Sequence, residues 1–466
     1  MRNLLIALAL LPVSAALPLA AHAEIVQHTQ AETQALDLAK KAISLRSVAG
    51  PGNKTKDVAQ LFKATLVDGG FSEKDITITP LDDTVYMTAT WPGTDTALKP
   101  LVILGHMDVV EAKPSDWTRD PFTPVVENGY LFGRGATDMK LDDALVIASV
   151  LELKRQGYKP RRSIILAFSG DEETAMKTGE ALAEKLQNAE LVLNVDGTGG
   201  VLNEDSNKPD YFMWGGAEKT YADYTLTVTN PGGHSSEPRP ENAIYHMASA
   251  LMKLKNYQFK PELNDITCAY FQQAGVLKKG AVGHAMQSFA KNPANQAAIK
   301  VLSANYTTVG LIGTTCVATM INGGHALNAL PQKVTANINC RIFPGHSKEE
   351  IGAELQHVIA DPGVKLEIQE AGSVATPASP MRKDFSEAVV KAIHSVYPNL
   401  PVIPAMFAGA TDNMWFRAHN VPSYTGSPII MKTSDLFMHG LNERTPLSAI
   451  APSINYFLSL IPDLSH

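Results

Sequence analysis

Apolar positions near the start of the chain recur with helical spacing. Ala35 to Ser44 and Thr55 to Asp68 predict helices, and Ile76 to Trp91 predicts strands. Apolar runs and amphipathic stretches then alternate: Leu101 to Leu104, a helix near Leu141 to Gln156, Ser163 to Phe168, a helix near Thr178 to Leu186, and Leu191 to Val195. This alternation predicts an α/β fold with a mixed, largely parallel sheet between helices.

The period changes after Gly216. Tyr221 to Thr229 alternates as a strand does, Ala243 to Leu254 is helical, and Val317 to Asn322 and Val334 to Ile342 are strands. Ser347 to Ile359 predicts a helix and Val364 to Ile368 a last strand, giving a β-α-β-β-α-β sandwich of sheet and two helices. A long insertion, about Tyr257 to Tyr306, has helical segments that the pattern does not place. The α/β signal resumes at Phe385 to Val396 and ends in a helix near Leu447 to Leu460. The second domain is therefore expected to be inserted into the first. The expected divisions are 24–216, a lid at 217–372, and 373–466.

At 466 residues, 45% hydrophobic and 19% charged, the chain is globular and long enough for two cores. A net charge of -7 with dispersed Lys and Arg offers no basic face for nucleic acid. Arg2, the apolar run Leu4 to Leu11 and Ala21-His22-Ala23 form the pattern of a signal peptide over 1–23, cleaved near Ala23. The run is short for a membrane span and no Cys follows it for lipid attachment, so a periplasmic or secreted chain without membrane anchor is expected. Three cysteines are too few for a thiolate zinc site. A hairpin folded about residue 328 would oppose Cys316 and Cys340, either as a disulfide or as two buried thiols.

Several segments put a carboxylate or imidazole where the chemistry of a paired-metal hydrolase needs it. Apolar runs end just before His106 and Asp108, before Asp171-Glu172-Glu173, and before Asp196, so a parallel sheet would deliver these groups to one crevice. His106 after a strand is either a hydrogen-bonded loop residue or a ligand. Asp108 favours the ligand, because metal-bound His usually donates its second N–H to a carboxylate. Asp138, after Gly133 and Gly135, is either a helix cap or a ligand, and Asp196 is either a turn residue or a ligand. Three consecutive acids at 171–173 repel one another unless a cation is present, and allow one ligand and one free general base.

The segments Gly105-His106-Met107-Asp108, Trp117 with Asp120-Pro121-Phe122, Gly133-Arg134-Gly135-Ala136-Thr137-Asp138-Met139-Lys140, Asp171-Glu172-Glu173 and His439-Gly440-Leu441-Asn442-Glu443 resemble the dinuclear zinc peptidases. That family includes glutamate carboxypeptidase, carboxypeptidase S, carnosine dipeptidase, aminoacylase and succinyl-diaminopimelate desuccinylase. The likeness covers nearly all of the expected mature chain and implies a catalytic domain plus a lid. It implies that two zinc ions, or cobalt or manganese, are held by His106, Asp138 and Asp196 and by Asp138, Glu173 and His439, with Asp138 bridging. Glu172 would be the general base, Asp108 would orient His106, and a cis peptide would follow Asp138. In the lid, His234 would contact the scissile carbonyl oxygen, Asn328 would bind substrate, and Arg341 would grip a substrate carboxylate beside the backbone of Gly409 and Ala410. The implied substrates are small peptides, or alternatively N-acyl amino acids, and the implied assembly is a homodimer through the lid, unless the insertion replaces the partner. The chain departs from the family at Gly372-Ser373-Val374-Ala375, which lacks the Arg of glutamate carboxypeptidase, and at Leu141, where a Gly is common. Neither departure touches an implied metal ligand, but the first removes support for acidic side-chain specificity.

Overall fold

The computed structural model describes residues 26–197, 199–369 and 373–466; the expected signal peptide and Gly372 lie outside them. Ten strands among the described residues build one sheet. At its centre Ile164–Ser169, Leu101–His106, Leu191–Asn194 and Ser423–Thr425 run parallel. Thr84–Trp91 and Ile76–Leu81 extend one edge antiparallel, and Pro209–Glu218 meets Ser423–Thr425 antiparallel on the other side, so the sheet is mixed.

Central strands are buried on both faces, and their side chains alternate between two cores. Leu101, Ile103, Leu166, Leu191 and Leu193 pack with the helices Thr29–Ile43, Lys140–Arg155, Lys383–Val396 and Ile450–Leu464. Val102, Leu104, Ala167 and Val192 pack with Lys177–Lys185 and Asn413–Ala418. Burial on both sides is why these strands are unbroken apolar runs in the sequence. In the strands at 101–106, 164–169 and 191–194 the polar residues come only at the carboxyl ends, which is where a crevice can be lined.

A second, antiparallel sheet contains Thr315–Gly323, Lys333–Ile342, Thr220–Thr229 and Val364–Ile368 in that order. Helices Ala243–Asn256 and Lys348–Ile359 cover one face through Tyr224, Leu226, Met247, Ile338 and Leu355. Inward residues alternate with outward ones along both central strands, as the two-residue period requires. Cys316 stands directly opposite Cys340 and the two form a disulfide, which resolves the alternatives left by the sequence.

The insertion forms the helices Asp265–Leu277, Gly280–Lys291 and Gln296–Ser303. Phe271, Met286, Phe289 and Leu302 share a core with Ile403 of Val402–Phe407, a strand of the large sheet. The insertion leaves the chain within the antiparallel-sheet domain but packs on the large sheet. Short amphipathic helices show in sequence that they bury one face, not what they bury it against.

Candidate metal centre

Two loops 300 residues apart meet because Arg444–Pro446 pairs antiparallel with Tyr130–Phe132. That pairing brings the turn at 439–443 beside the Gly-rich turn at 133–138. The fully buried Glu443 locks them together. Its Oε1 accepts N–H groups of Gly135 (3.1 Å), Thr137 (2.7 Å) and Asp138 (3.0 Å), while Oε2 takes Arg134 Nη1 at 2.5 Å. The Arg134 guanidinium lies 5.1 Å from the Trp117 ring centre, which closes the side of this clamp. The Asp138–Met139 peptide is cis.

Asp138 is thereby fixed between two imidazoles. Its Oδ1 lies 3.1 Å from His106 Nε2, and its Oδ2 lies 3.1 Å from His439 Nε2. The same His439 nitrogen faces Glu173 Oε2 at 3.0 Å and Oε1 at 3.1 Å. One imidazole nitrogen carries at most one proton, so three oxygens around it exceed what it can satisfy. The donor atoms of His106, Asp138 and Glu173 all lie within 4.8 Å of one another, and nitrogen with carboxylate oxygen suits a borderline divalent ion. Asp196 follows Leu191–Asn194, the strand hydrogen-bonded to that of His106, and faces Asp138, His106 and Glu173 electrostatically.

The three acids at 171–173 divide the work. Asp171 is the helix cap: its carboxylate accepts from Lys177 N (3.0 Å), Thr178 N (2.9 Å) and the Thr178 hydroxyl. Glu173 joins the cluster. Among the described residues, no group donates a hydrogen bond to the Glu172 carboxylate, which leaves it free. Asp108 accepts N–H from both Glu172 and Glu173 at 3.1 Å. Its carboxylate is therefore occupied, and its Oδ1 is 3.6 Å from His106 Nδ1. The hydrogen-bond acceptor for that nitrogen is the Asp108 carbonyl at 3.1 Å, so the expected orienting role falls mainly to main chain.

Charge crowding and burial shift the proton affinities of these groups. Burial, then the Asp138 charge, pushes Asp196 up to about 8. Burial also raises Glu172 well above the carboxylate range, and raises Glu173. Asp138 goes down, because hydrogen bonds from His106 and His439 outweigh its burial. Hydrogen bonds to Asp138 and Glu173 push His439 up to about 10. Acids that must take up protons to coexist are acids that a cation would discharge.

The lid residues stand apart from this cluster. Arg341 lies over the Tyr221 ring at 4.8 Å and donates to Ala408 O at 3.3 Å, at the start of the loop that carries Gly409 and Ala410. His234 and Asn328 sit on an exposed two-stranded ribbon, where His234 pairs with Ala329 and Asn328 O accepts Ser235 N–H. Among the described residues, neither has a hydrogen bond or ion pair to the cluster. Sequence reasoning gave Glu443 no role, although an acid in a turn of Gly and Asn was its available signal. Of the three consecutive acids, Asp171 alone serves the start of a helix.

The family model described as peptidase family M20/M25/M40 matches residues 102–463. A "probable carboxypeptidase S-like 2" of Dictyostelium discoideum is 31% identical over 387 residues, 80% of this chain and 73% of that one. An N-fatty-acyl-amino acid synthase/hydrolase of Xenopus tropicalis is 29% identical over 380 residues, 79% of this chain and 73% of that one. Among solved structures, an M20 family metallo-carboxypeptidase of Sulfolobus solfataricus superposes with TM-score 0.70 at 18% identity, covering 92% of this chain and 99% of that one.

Proposed function

Because the chain belongs to peptidase family M20/M25/M40, a family of metal-dependent hydrolases, we propose that it cleaves an amide bond whose amine side carries a free carboxylate. A dipeptide or the C-terminal bond of a short peptide is the first reading. An N-acyl amino acid is the second, favoured by the relative named for N-fatty-acyl amino acids. The observation that carries the proposal is the Asp138 carboxylate, one oxygen toward His106 and the other toward His439.

In this reading His106, Asp138 and Asp196 would hold one zinc ion, and Asp138, Glu173 and His439 would hold the other; cobalt or manganese would suit the same donors. When bound, such a pair polarises a carbonyl and makes water acidic enough to attack near neutral pH. Glu172 would take a proton from the attacking water and return it to the leaving amine, a task that needs a raised pKa and an unoccupied carboxylate. Asp108 keeps Glu172 and its neighbour in place through their N–H groups. Arg341 binds the substrate carboxylate with the Gly409 and Ala410 main chain alongside. His234 and Asn328 act on the substrate from the lid ribbon, once the lid closes or from a second subunit.

Arg341→Met is expected to raise KM about 10–100-fold for a free-acid dipeptide, the worth of a charged hydrogen bond. The corresponding C-terminal amide should be a poor substrate for both enzymes. An unchanged KM, or equal cleavage of acid and amide, would refute the carboxylate anchor. Parallel assays of dipeptides and N-acyl amino acids with one side chain separate the two substrate readings.

The exposed strand Thr315–Gly323 ends the lid sheet and presents Val317, Met320 and Ile321, each about 60% exposed. An apolar open edge invites a second strand, which supports a homodimer through the lid. Light scattering should return twice the chain mass; a monomer at micromolar concentration would overturn this. The disulfide supports export to an oxidising compartment. No described helix is long and apolar enough to cross a membrane.

A further inference from the structure

The chain leaves the large sheet and enters the lid at two adjacent residues that point opposite ways. Glu218 ends Pro209–Glu218, and its buried side chain turns into the catalytic layer. Lys219 turns toward the root of the insertion, donating to Gly310 O (2.9 Å), Gly313 O (2.8 Å) and Thr315 Oγ1 (3.2 Å).

Four donors occupy the Glu218 carboxylate. Arg417 Nη1 reaches Oε2 at 3.0 Å, while Asn413 Nδ2 (3.0 Å) and the Thr411 hydroxyl (2.8 Å) reach Oε1. The Thr411 N–H completes the set at 3.4 Å from Oε2. A carboxylate paired with arginine can only accept, so the single Thr411 hydroxyl proton must point to it. Thr411 Oγ1 is then an acceptor for Asn194 Nδ2, at 3.1 Å. That assignment leaves the Asn194 side-chain oxygen, Oδ1, to accept the Asp196 N–H, at 3.0 Å. The path is fixed at both ends, by a carboxylate that only accepts and a main-chain N–H that only donates, and its middle members satisfy both.

We propose that Glu218 is a positioning residue for the metal centre: through Thr411 and Asn194 it fixes the turn that carries Asp196, and through the same threonine it fixes the loop beside Arg341. The inference rests on the reading of Asp196 as a zinc ligand. It goes beyond that reading by tying ligand placement to the point where the chain crosses into the lid. Arg417 carries the opposite charge within the network, so the hydrogen-bonded path is argued from direction and geometry.

The test is zinc titration of metal-free protein against a chromophoric chelator, together with thermal unfolding. Glu218→Gln can present its amide to Thr411 and reverse the path, and Thr411→Val removes the middle of it at nearly constant volume. Each should weaken the Asp196-side zinc by about 10–100-fold, the usual effect of losing a group that orients a ligand. Ser379→Ala loses bonds to Arg417 Nε and to Ser423 N in the same buried network, but lies off the path, and should keep both zinc affinities. If Glu218→Gln and Thr411→Val both bind two zinc ions as tightly as the unaltered chain, while Asp196→Ala has lost one, this proposal alone is overturned. It is also overturned if Ser379→Ala weakens zinc equally. If Asp196→Ala retains both ions, the ligand assignment fails and takes the proposal with it.

Discussion

Glu172→Gln should lower kcat about 10³-fold and leave the bound metal unchanged. General acid–base catalysis contributes typically 10²–10⁴-fold, and the acids next to Glu172 in sequence and Asp108 beneath it are already committed elsewhere. Asp171 is committed to capping Lys177–Lys185, Asp108 to two N–H groups, and Glu173 to the cluster with His439. Glutamine preserves shape and removes only the ability to take a proton, so KM should move little. Metal analysis beside steady-state kinetics checks both halves. A variant with two ions per chain and more than a tenth of the normal kcat would falsify the base assignment.

The same three acids show what a sequence can carry. Leu101 to Leu104, Ser163 to Phe168 and Leu191 to Val195 were legible as strands because burial on both faces makes them apolar without interruption. Their ends were legible as a site because polar residues there have only a crevice to enter. The meeting of His439 with Asp138 was not legible from periodicity, since it depends on a three-residue strand at 444–446 pairing with one at 130–132, far away in the chain. It was reached through the resemblance of motifs. Glu218 was beyond reach: a lone acid before a lysine looks like a solvated strand end, and only tertiary packing turns it inward against Arg417. The lid sandwich followed from alternation along Tyr221 to Thr229 and Val334 to Ile342. The site of docking of the insertion did not, because Phe271 and Phe289 define a face and not a partner.

Removal of metal by a chelator should abolish hydrolysis, restore it on zinc addition, and expose a pH dependence of opposite sense to ordinary carboxylate pairing. In the metal-free fold Asp196 holds its proton up to about pH 8, whereas the unfolded chain releases it near 3.8. The folded state thus binds the extra proton between those values, and stability falls as pH rises through them. His439, raised from 6.5 to about 10 by Asp138 and Glu173, contributes stability below 6.5 that is lost as pH climbs toward 10. Both slopes have the same sign between pH 6.5 and 8. Asp138 lies below its ordinary value and has delivered its contribution by then, so it does not compensate. Zinc requires these ligands deprotonated, and its binding strengthens over the same interval. The difference in Tm between zinc-loaded and metal-free protein should therefore widen by several degrees from pH 6.5 to 8. A gap that narrows with rising pH would mean that Asp196 and His439 are not crowded by the acids that surround them, and the cage for two cations would lose its physical basis.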